Sequence, residues 1–363
     1  MKIIHCSDLH LDSKMEANLT REQAKERKRE LLATFERMVT YAQEKGVRAI
    51  LIAGDLFDTT RISKMALHLV EDQITGHPDI DFLYLKGNHE KDFFLSNLDQ
   101  IPENLKVFGD SWTRFSYPLD EEHQLTVTGV ELTAENSRNI YDSLVLSQDD
   151  VNIVVLHGQE SQYDAKDKTE VINIRALQNK YIDYLALGHI HEYKYQKLDN
   201  RGSYCYSGCL EGRGFDETGE KGFVLLEIED GQITSAFVPF ASRTLYEIPV
   251  DITGLHTTTE IVQHVDEAVA GIDTGSLVKV VLTGEIDMDT DKDITYLYKR
   301  FASQFYFLKI YDRTKLAVNY EDYRYDQSLK GEFIRILEKA DLSPEEKDAV
   351  ILTGIRALSG EEL

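Results

Sequence analysis

Cysteine is scarce in this chain, with three among 363 residues. Three thiols cannot build a disulfide framework, and the nearest pair, Cys205 and Cys209, supplies at most half of a zinc site. Long apolar runs are missing as well. No stretch is suited to span a bilayer, and the opening Met1-Lys2-Ile3-Ile4-His5-Cys6-Ser7-Asp8 is apolar too briefly for a signal peptide. The expected setting is a reducing cytoplasm without membrane attachment. Positive charge is also short: 40 Lys and Arg stand against 64 Asp and Glu, a formal charge of −24. Such a surface repels nucleic acid at long range, which counts against a free-standing, non-specific DNA binder. Bound divalent cations, a local basic face or a basic partner would offset that repulsion. Internal repeats and low-complexity tracts are absent.

What remains is the composition of a folded protein, 42% hydrophobic and 29% charged, and long enough for two domains. Short β-rich runs at 3–6, 49–53, 82–85, 153–156 and 184–187 alternate with helical patterns. Thr20-Arg21-Glu22-Gln23 reads as a capping box, followed by Leu31, Phe35, Met38 and Ala42 at helical spacing and by Gly46 as a stop. Near 204–206, 223–228 and 233–238 the pattern turns to strands alone, with Asp230-Gly231 as a hairpin turn. This predicts an α/β sandwich of two mixed sheets ending near Phe240. Beyond it, strands at 245–250, 278–282 and 305–310 and helices at 257–270 and 294–301 predict a small α/β module. From Ser328 onward the chain reads as helical, and Ser343-Pro344-Glu345-Glu346 carries a cap, a first-turn proline and a capping-box glutamate.

Five motifs follow predicted strands: Asp8-Leu9-His10, Gly54-Asp55-Leu56-Phe57-Asp58, Gly87-Asn88-His89-Glu90, His157-Gly158 and Gly188-His189-Ile190-His191. Alone, each has a bland reading, since Asp-x-His after a strand is usually a helix cap or turn, and Gly-Asp and Gly-Asn are ordinary turn pairs. Together they weigh differently, because five of the eleven histidines sit in these motifs, all directly after β-runs. Carboxylate, imidazole and amide oxygen without thiolate suit manganese foremost, or iron or zinc. Seven of these groups, Asp8, His10, Asp55, Asn88, His157, His189 and His191, exceed the needs of one tetrahedral ion but suit two ions about 3.5–4 Å apart, an arrangement that stabilises both oxygens of an in-line displacement at phosphorus.

The order and wording of these motifs, over about residues 1–240, resemble the calcineurin-like metallophosphoesterase superfamily. The resemblance implies a four-layer αββα sandwich in which Asp8, His10, Asp55 and His191 hold one divalent ion. Asp55, Asn88, His157 and His189 would hold the other, with Asp55 bridging. His89 would steady the transition state and protonate the leaving oxygen, a task for which an imidazole's ordinary pKa is suited. Within the superfamily the chain resembles SbcD-type DNA-repair exonucleases, particularly their YhaO-like bacterial branch, in Gly54-Asp55-Leu56-Phe57-Asp58 and in the segment from Tyr206 to Glu217. That implies a nuclease domain at 1–240, a capping domain at 241–318 and a helical segment at 319–363. The implied activity is manganese-dependent exonuclease action on DNA, with endonuclease action on single strands. The implied partners are an SbcC-type ATPase and a second copy of the chain in a homodimer.

Two departures stand out. Glu90 occupies a position where many such nucleases carry aspartate, and Gly-Asn-His-Glu also occurs in serine/threonine phosphoprotein phosphatases. Those phosphatases place an arginine after the aspartate matching Asp58, whereas here Thr59 follows and Arg61 comes two positions later. Some archaeal relatives have histidine at the position of Asp58. Asp58, Arg61 and Lys64 are candidates for substrate contact. The stretch Lys25-x-Arg27-Lys28-Arg29 reads either as phosphate contacts or as a solvated helix face. The stripe Phe333, Ile336, Leu337, Ala340, Val350, Ile351 and Ile355 either packs on its own domain or, by resemblance, docks the ATPase. Competing functions are a phosphatase or cyclic-nucleotide phosphodiesterase of the same superfamily, and a non-catalytic scaffold.

Overall fold

The computed structural model describes residues 1–15, 17, 19–58, 62–87, 93–137, 139–161, 171–287, 290–317 and 320–358. The chain divides into two compact units, Met1–Thr244 and Leu245–Leu363. In the first, the elements in chain order are β1 (Lys2–Cys6), α1 (Arg21–Glu44), β2 (Ala49–Ala53), α2 (Lys64–Gly76), β3 (Asp81–Leu85), α3 (Phe93–Ser96), β4 (Leu105–Val107), β5 (Thr113–Pro118) and β6 (Gln124–Gly129). They continue with β7 (Val151–His157), β8 (Gln159–Ser161), β9 (Val171–Asn173), α4 (Ile174–Leu177), β10 (Tyr184–Gly188), β11 (Lys194–Lys197), β12 (Ser203–Tyr206), β13 (Gly222–Glu229) and β14 (Gln232–Pro239).

Two six-stranded sheets result, ordered β14-β13-β1-β2-β3-β4 and β11-β12-β10-β7-β6-β5. Both are mixed: β1 to β4 run parallel, as do β12, β10, β7 and β6, while β13, β14, β11 and β5 are antiparallel additions. The parallel strands read as unbroken apolar runs because both of their faces are covered. Ile50 and Ile52 of β2 pack under α1 and α2 with Phe35, Met38 and Val70. Ala49, Leu51 and Ala53 face the other sheet, against Ile153, Val155 and Ala186. The outer face of the second sheet is covered by Tyr141, Leu144, Ile174 and Leu177. This is the four-layer αββα sandwich, and among the described residues its second helical layer is built from α4, a 3-10 turn at Ile140–Ser143 and loops.

The local signals act as their chemistry requires. Thr20 and Gln23 form the capping box of α1, and the buried side of that helix carries Leu31, Phe35, Met38 and Ala42. Asp230 and Gly231 both take positive φ, 49° and 75°, the backbone of a tight turn whose twist matches β13 and β14. The basic stretch of α1 fits neither of its two readings as a whole. Lys25 and Arg29 are exposed, whereas Arg27 is 2% exposed and its Nη2 donates to Glu211 Oε2 at 2.9 Å. Arg27 therefore belongs to the core, because a buried guanidinium is tolerated only with partners for its charge and its N–H groups.

The second unit contains β15 (Leu245–Asp251), α5 (Thr258–Ala268), β16 (Leu277–Thr283), β17 (Glu285–Ile286), α6 (Ile294–Phe301), β18 (Phe307–Asp312), β19 (Lys315–Leu316), α7 (Leu329–Glu338) and α8 (Pro344–Leu358). Strands β15, β16 and β18 form a parallel sheet, and Val250, Val278, Val280 and Leu282 pack with Ile261 and Val265 of α5 and Leu297 and Phe301 of α6. The helical stripe of the last segment is divided. Leu337 and Ile351 bury against Leu316 with Phe333 and Ala340 alongside, whereas Ile336 is 60% and Val350 39% exposed. Ile355 lies outside the described side chains. No described helix is long and apolar enough to cross a membrane.

Candidate metal centre

The described motif residues gather where the carboxyl ends of parallel strands from the two sheets meet. Strands β1 and β2 deliver Asp8, His10 and Asp55 from one sheet, while β7 and β10 deliver His157, His189 and His191 from the other. Backbone hydrogen bonds fix the turns to one another: Asp8 N donates to Gly54 O at 3.0 Å and His10 N to Asp55 O at 2.9 Å. The amide of His189 donates to both carboxylate oxygens of Asp8, each at 3.0 Å, so one sheet's turn is tied to the other's. Four of these residues hold positive φ without being glycine: Asp8 (50°), His10 (46°), Asp55 (54°) and His189 (102°). Such backbone is costly, and it concentrates where surrounding structure forces side chains into a functional arrangement.

Two groups of three donors result, Asp8 with His10 and His191, and Asp8 with Asp55 and His157, each with its ligand atoms within 4.8 Å of one another. Asp8 is the carboxylate common to both groups. Asp55 faces both as well, with Oδ2 3.4 Å from His157 Nε2 and 4.0 Å from His10 Nε2. His189 completes neither trio, although its ring lies 5.5 Å from that of His157. Asn88, His89, Glu90 and Arg61 lie outside the described residues. Lys64 is exposed at the start of α2. Asp58 lies 3.7 Å from His10 Nδ1 through Oδ1 and 3.4 Å from Arg213 Nη1 through Oδ2.

Packing shields these groups from bulk solvent. Asp8, His10 and Asp55 are each 1% exposed. Burial pushes the Asp8 carboxyl above its ordinary range, against the pull of His157 and His191. Burial, with the charge of Arg213, holds His10 down at about 3. His157 shifts the other way. Burial opposes its charge, but the hydrogen bond to Asp55 and the nearby charges of Asp8 and Asp55 raise it to about 9. His191 is raised too, because Glu217 and Asp8 outweigh its burial. His10 Nε2 and His191 Nε2 point at each other across 3.1 Å, so the protein alone needs a proton between two nitrogen lone pairs.

These features fit a pair of divalent cations. Dehydrated carboxylates and facing imidazole lone pairs are costly unless a positive centre sits among them, and the hard and borderline donor set suits such ions. Held there, two cations would neutralise the carboxylates, polarise a phosphoryl oxygen and clamp the entering and leaving oxygens of an in-line displacement. The chain's own contribution is orientation. His157 Nδ1 donates to Ala53 O at 2.9 Å, which aims Nε2 into the site. His191 Nδ1 donates to Glu217 Oε1 at 2.6 Å, with the same effect. The roles of Glu217 and Arg213 escape sequence reasoning, although both fall in the Tyr206–Glu217 segment, because carboxylate and imidazole are 26 positions apart.

Two expected outcomes follow from this geometry. Gly54 has φ of +94°, and a Cβ there would sit 2.1 Å from His157 Nδ1. Gly54→Ala should therefore cost on the order of 1–3 kcal/mol in denaturant unfolding and weaken metal uptake; an unchanged unfolding midpoint would contradict the crowding. The second outcome concerns pH. A cation must displace the His157 proton, so metal affinity should rise as pH climbs toward about 9 and then level off. The stabilisation that the ion-free fold draws from protonated His157 is complete below the ordinary imidazole pKa and fades as pH rises through about 9. Calorimetric titration in buffers of different ionisation enthalpy should register proton release at pH 7.5, and affinity that is flat from pH 6 to 9 would refute it.

The chain is similar to several known proteins. The calcineurin-like phosphoesterase family model matches residues 1–193. The uncharacterized metallophosphoesterase YhaO of Bacillus subtilis (strain 168) is 26% identical over 274 residues, covering 74% of this chain and 67% of that protein. Among solved structures, TT1561 of Thermus thermophilus shares 13% identity, with a TM-score of 0.40, over 65% of this chain and 98% of its own. A dimetal phosphatase from Danio rerio shares 11% identity, with a TM-score of 0.39, over 66% of this chain and 99% of its own. With more than half of its length matched by the family model, and the family's donor residues gathered at the ends of β1, β2, β7 and β10, this chain belongs to the calcineurin-like phosphoesterase family.

Proposed function

We propose that this metallophosphoesterase is a two-metal DNA exonuclease, with endonuclease action on single strands, working with manganese in the cytoplasm. The observation that carries the two-metal reading is the pair of adjacent buried donor groups sharing Asp8. Asp8, His10, Asp55 and His191 would hold one ion, and Asp55, Asn88, His157 and His189 the other. His89 would protonate the leaving oxygen, with Asp58 and Arg61 toward the substrate. Two features favour DNA as substrate. The unit Leu245–Leu363 is more than a minimal phosphatase needs. Thr59 also stands where phosphoprotein phosphatases place a phosphate-gripping arginine. In this reading the chain is the nuclease subunit of an SbcCD-like complex, a homodimer joined to an SbcC-type ATPase and acting in DNA repair.

The formal charge of −24 favours a second reading, a phosphatase or cyclic-nucleotide phosphodiesterase, because anionic polymers are repelled more strongly than small substrates. Rates on end-labelled duplex DNA, a cyclic nucleotide and a phosphopeptide, each with Mn2+, separate the two. Shortening of the duplex by the purified chain, alone or with its ATPase partner, is the expected result. Turnover confined to the cyclic nucleotide or phosphopeptide would replace the nuclease reading with the second.

A further inference from the structure

The histidines of the two donor groups are backed differently. His157 rests on a main-chain carbonyl, Ala53 O. His191 rests on Glu217, which is 4% exposed and gripped by Arg213 through Nη2 at 2.7 Å, Nε at 3.2 Å and the backbone amide at 2.7 Å. The same guanidinium extends Nη1 to Asp58 Oδ2 at 3.4 Å, and the other oxygen of Asp58 lies 3.7 Å from His10 Nδ1. One arginine thus holds two carboxylates, each facing the Nδ1 side of an imidazole, and both imidazoles belong to the Asp8, His10, His191 group.

We infer that Arg213, acting through Glu217 and Asp58, is a positioning residue that sets the strength of the metal position that includes His10 and His191 without setting that of the position that includes His157. A carboxylate hydrogen-bonded to Nδ1, as Glu217 is to His191 at 2.6 Å, keeps the proton there, leaves Nε2 as the lone-pair face and makes the ring a stronger donor than a carbonyl does, whereas Asp58 at 3.7 Å acts on His10 through its charge. A carboxylate free to rotate would lose that effect. Arg213 restrains both from a site where its side chain is 11% exposed, so solvent screens the pairing little. The loop that carries it is itself anchored. Glu211 accepts from Arg27 at 2.9 Å and from Thr34 Oγ1 at 2.7 Å, and Lys221 Nζ donates to His191 O at 2.8 Å. Arg213 therefore sits on a stiff support rather than on a free loop tip.

This inference rests on the two-metal reading, and the test keeps the two apart. Mn2+ titration of the full chain by calorimetry is expected to show two binding events in the wild type. Arg213→Ala and Glu217→Gln should weaken one event by about 10–100-fold and leave the other unchanged. Arg213→Lys, which keeps the charge but cannot span both carboxylates, should fall between wild type and Arg213→Ala. Asp58→Asn should weaken the same event by less than Glu217→Gln, since Asp58 stands 3.7 Å from His10 Nδ1, and these two variants carry the test if Arg213→Ala does not fold. Two events in the wild type, with the variants weakening both equally or neither, overturn the inference alone. A wild-type chain that binds fewer than two Mn2+ overturns the two-metal reading and this inference with it.

Discussion

Asp55→Ala is expected to leave a folded protein with incomplete metal content and essentially no turnover. The carboxylate is 1% exposed and reaches toward both His157 and His10, so solvent has little room to stand in for it. Its loss removes charge that would balance two cations and, in the ion-free protein, the hydrogen bond that helps to raise His157. The rate should fall by at least about a thousandfold, roughly 4 kcal/mol of transition-state stabilisation. Metal content after dialysis, read by elemental analysis beside the rate, checks both effects in one preparation. Asp55→Asn keeps the shape and one oxygen but not the charge, and should also fail to retain both ions. Full metal content with near-normal turnover in Asp55→Ala would remove the basis of the two-metal account.

The second large effect is expected at His89, and it should be of a different kind. His89 follows Gly87 and Asn88 in the sequence beyond β3, and Gly87 packs so closely on Asp55 that a Cβ would lie 2.0 Å from Asp55 Oδ1. His89 is not among the proposed ligands, so His89→Ala should retain metal. Loss of a general acid typically costs about 10²–10⁴ in rate. The loss should be large for a phosphodiester with a poor, alkoxide-like leaving group and small for a nitrophenyl ester, whose leaving oxygen needs no proton. Equal losses on both substrates would show that His89 acts through positioning or charge, and robust DNA hydrolysis by the variant would remove it from the mechanism.

Much of the local structure was legible because the deciding interactions are short in range. The capping boxes at Thr20 and Ser343 join residues three apart, and both form as read. The hairpin at Asp230-Gly231 is likewise a matter of two backbone conformations. The buried strands were visible as apolar runs, since coverage of both faces erases alternation. Strands β5 and β6 were harder to see. The residues of β5 alternate regularly, but those on its inner face are mostly only half-buried, and its pairing with β6 gives it a place that its own composition does not. Arg27 shows the same limit from the other side. A basic helix stretch reads as a surface until Glu211, 184 positions away, supplies a buried partner.

The donor chemistry of the centre was written in residue types and order, because carboxylates and imidazoles placed after glycine-flanked strand ends have few other uses in such number. Convergence was not. Ligation demands atoms within a few ångströms, and here the parallel register that sets Gly188 beside His157, and the packing of one sheet on the other, carry histidines from late in the chain to carboxylates near its start. Which carboxylate stands between the two donor groups, and which arginine braces their imidazoles, likewise depends on contacts between distant segments. Those contacts exist only once both sheets have closed on each other, since no local preference acts between segments so far apart in the chain.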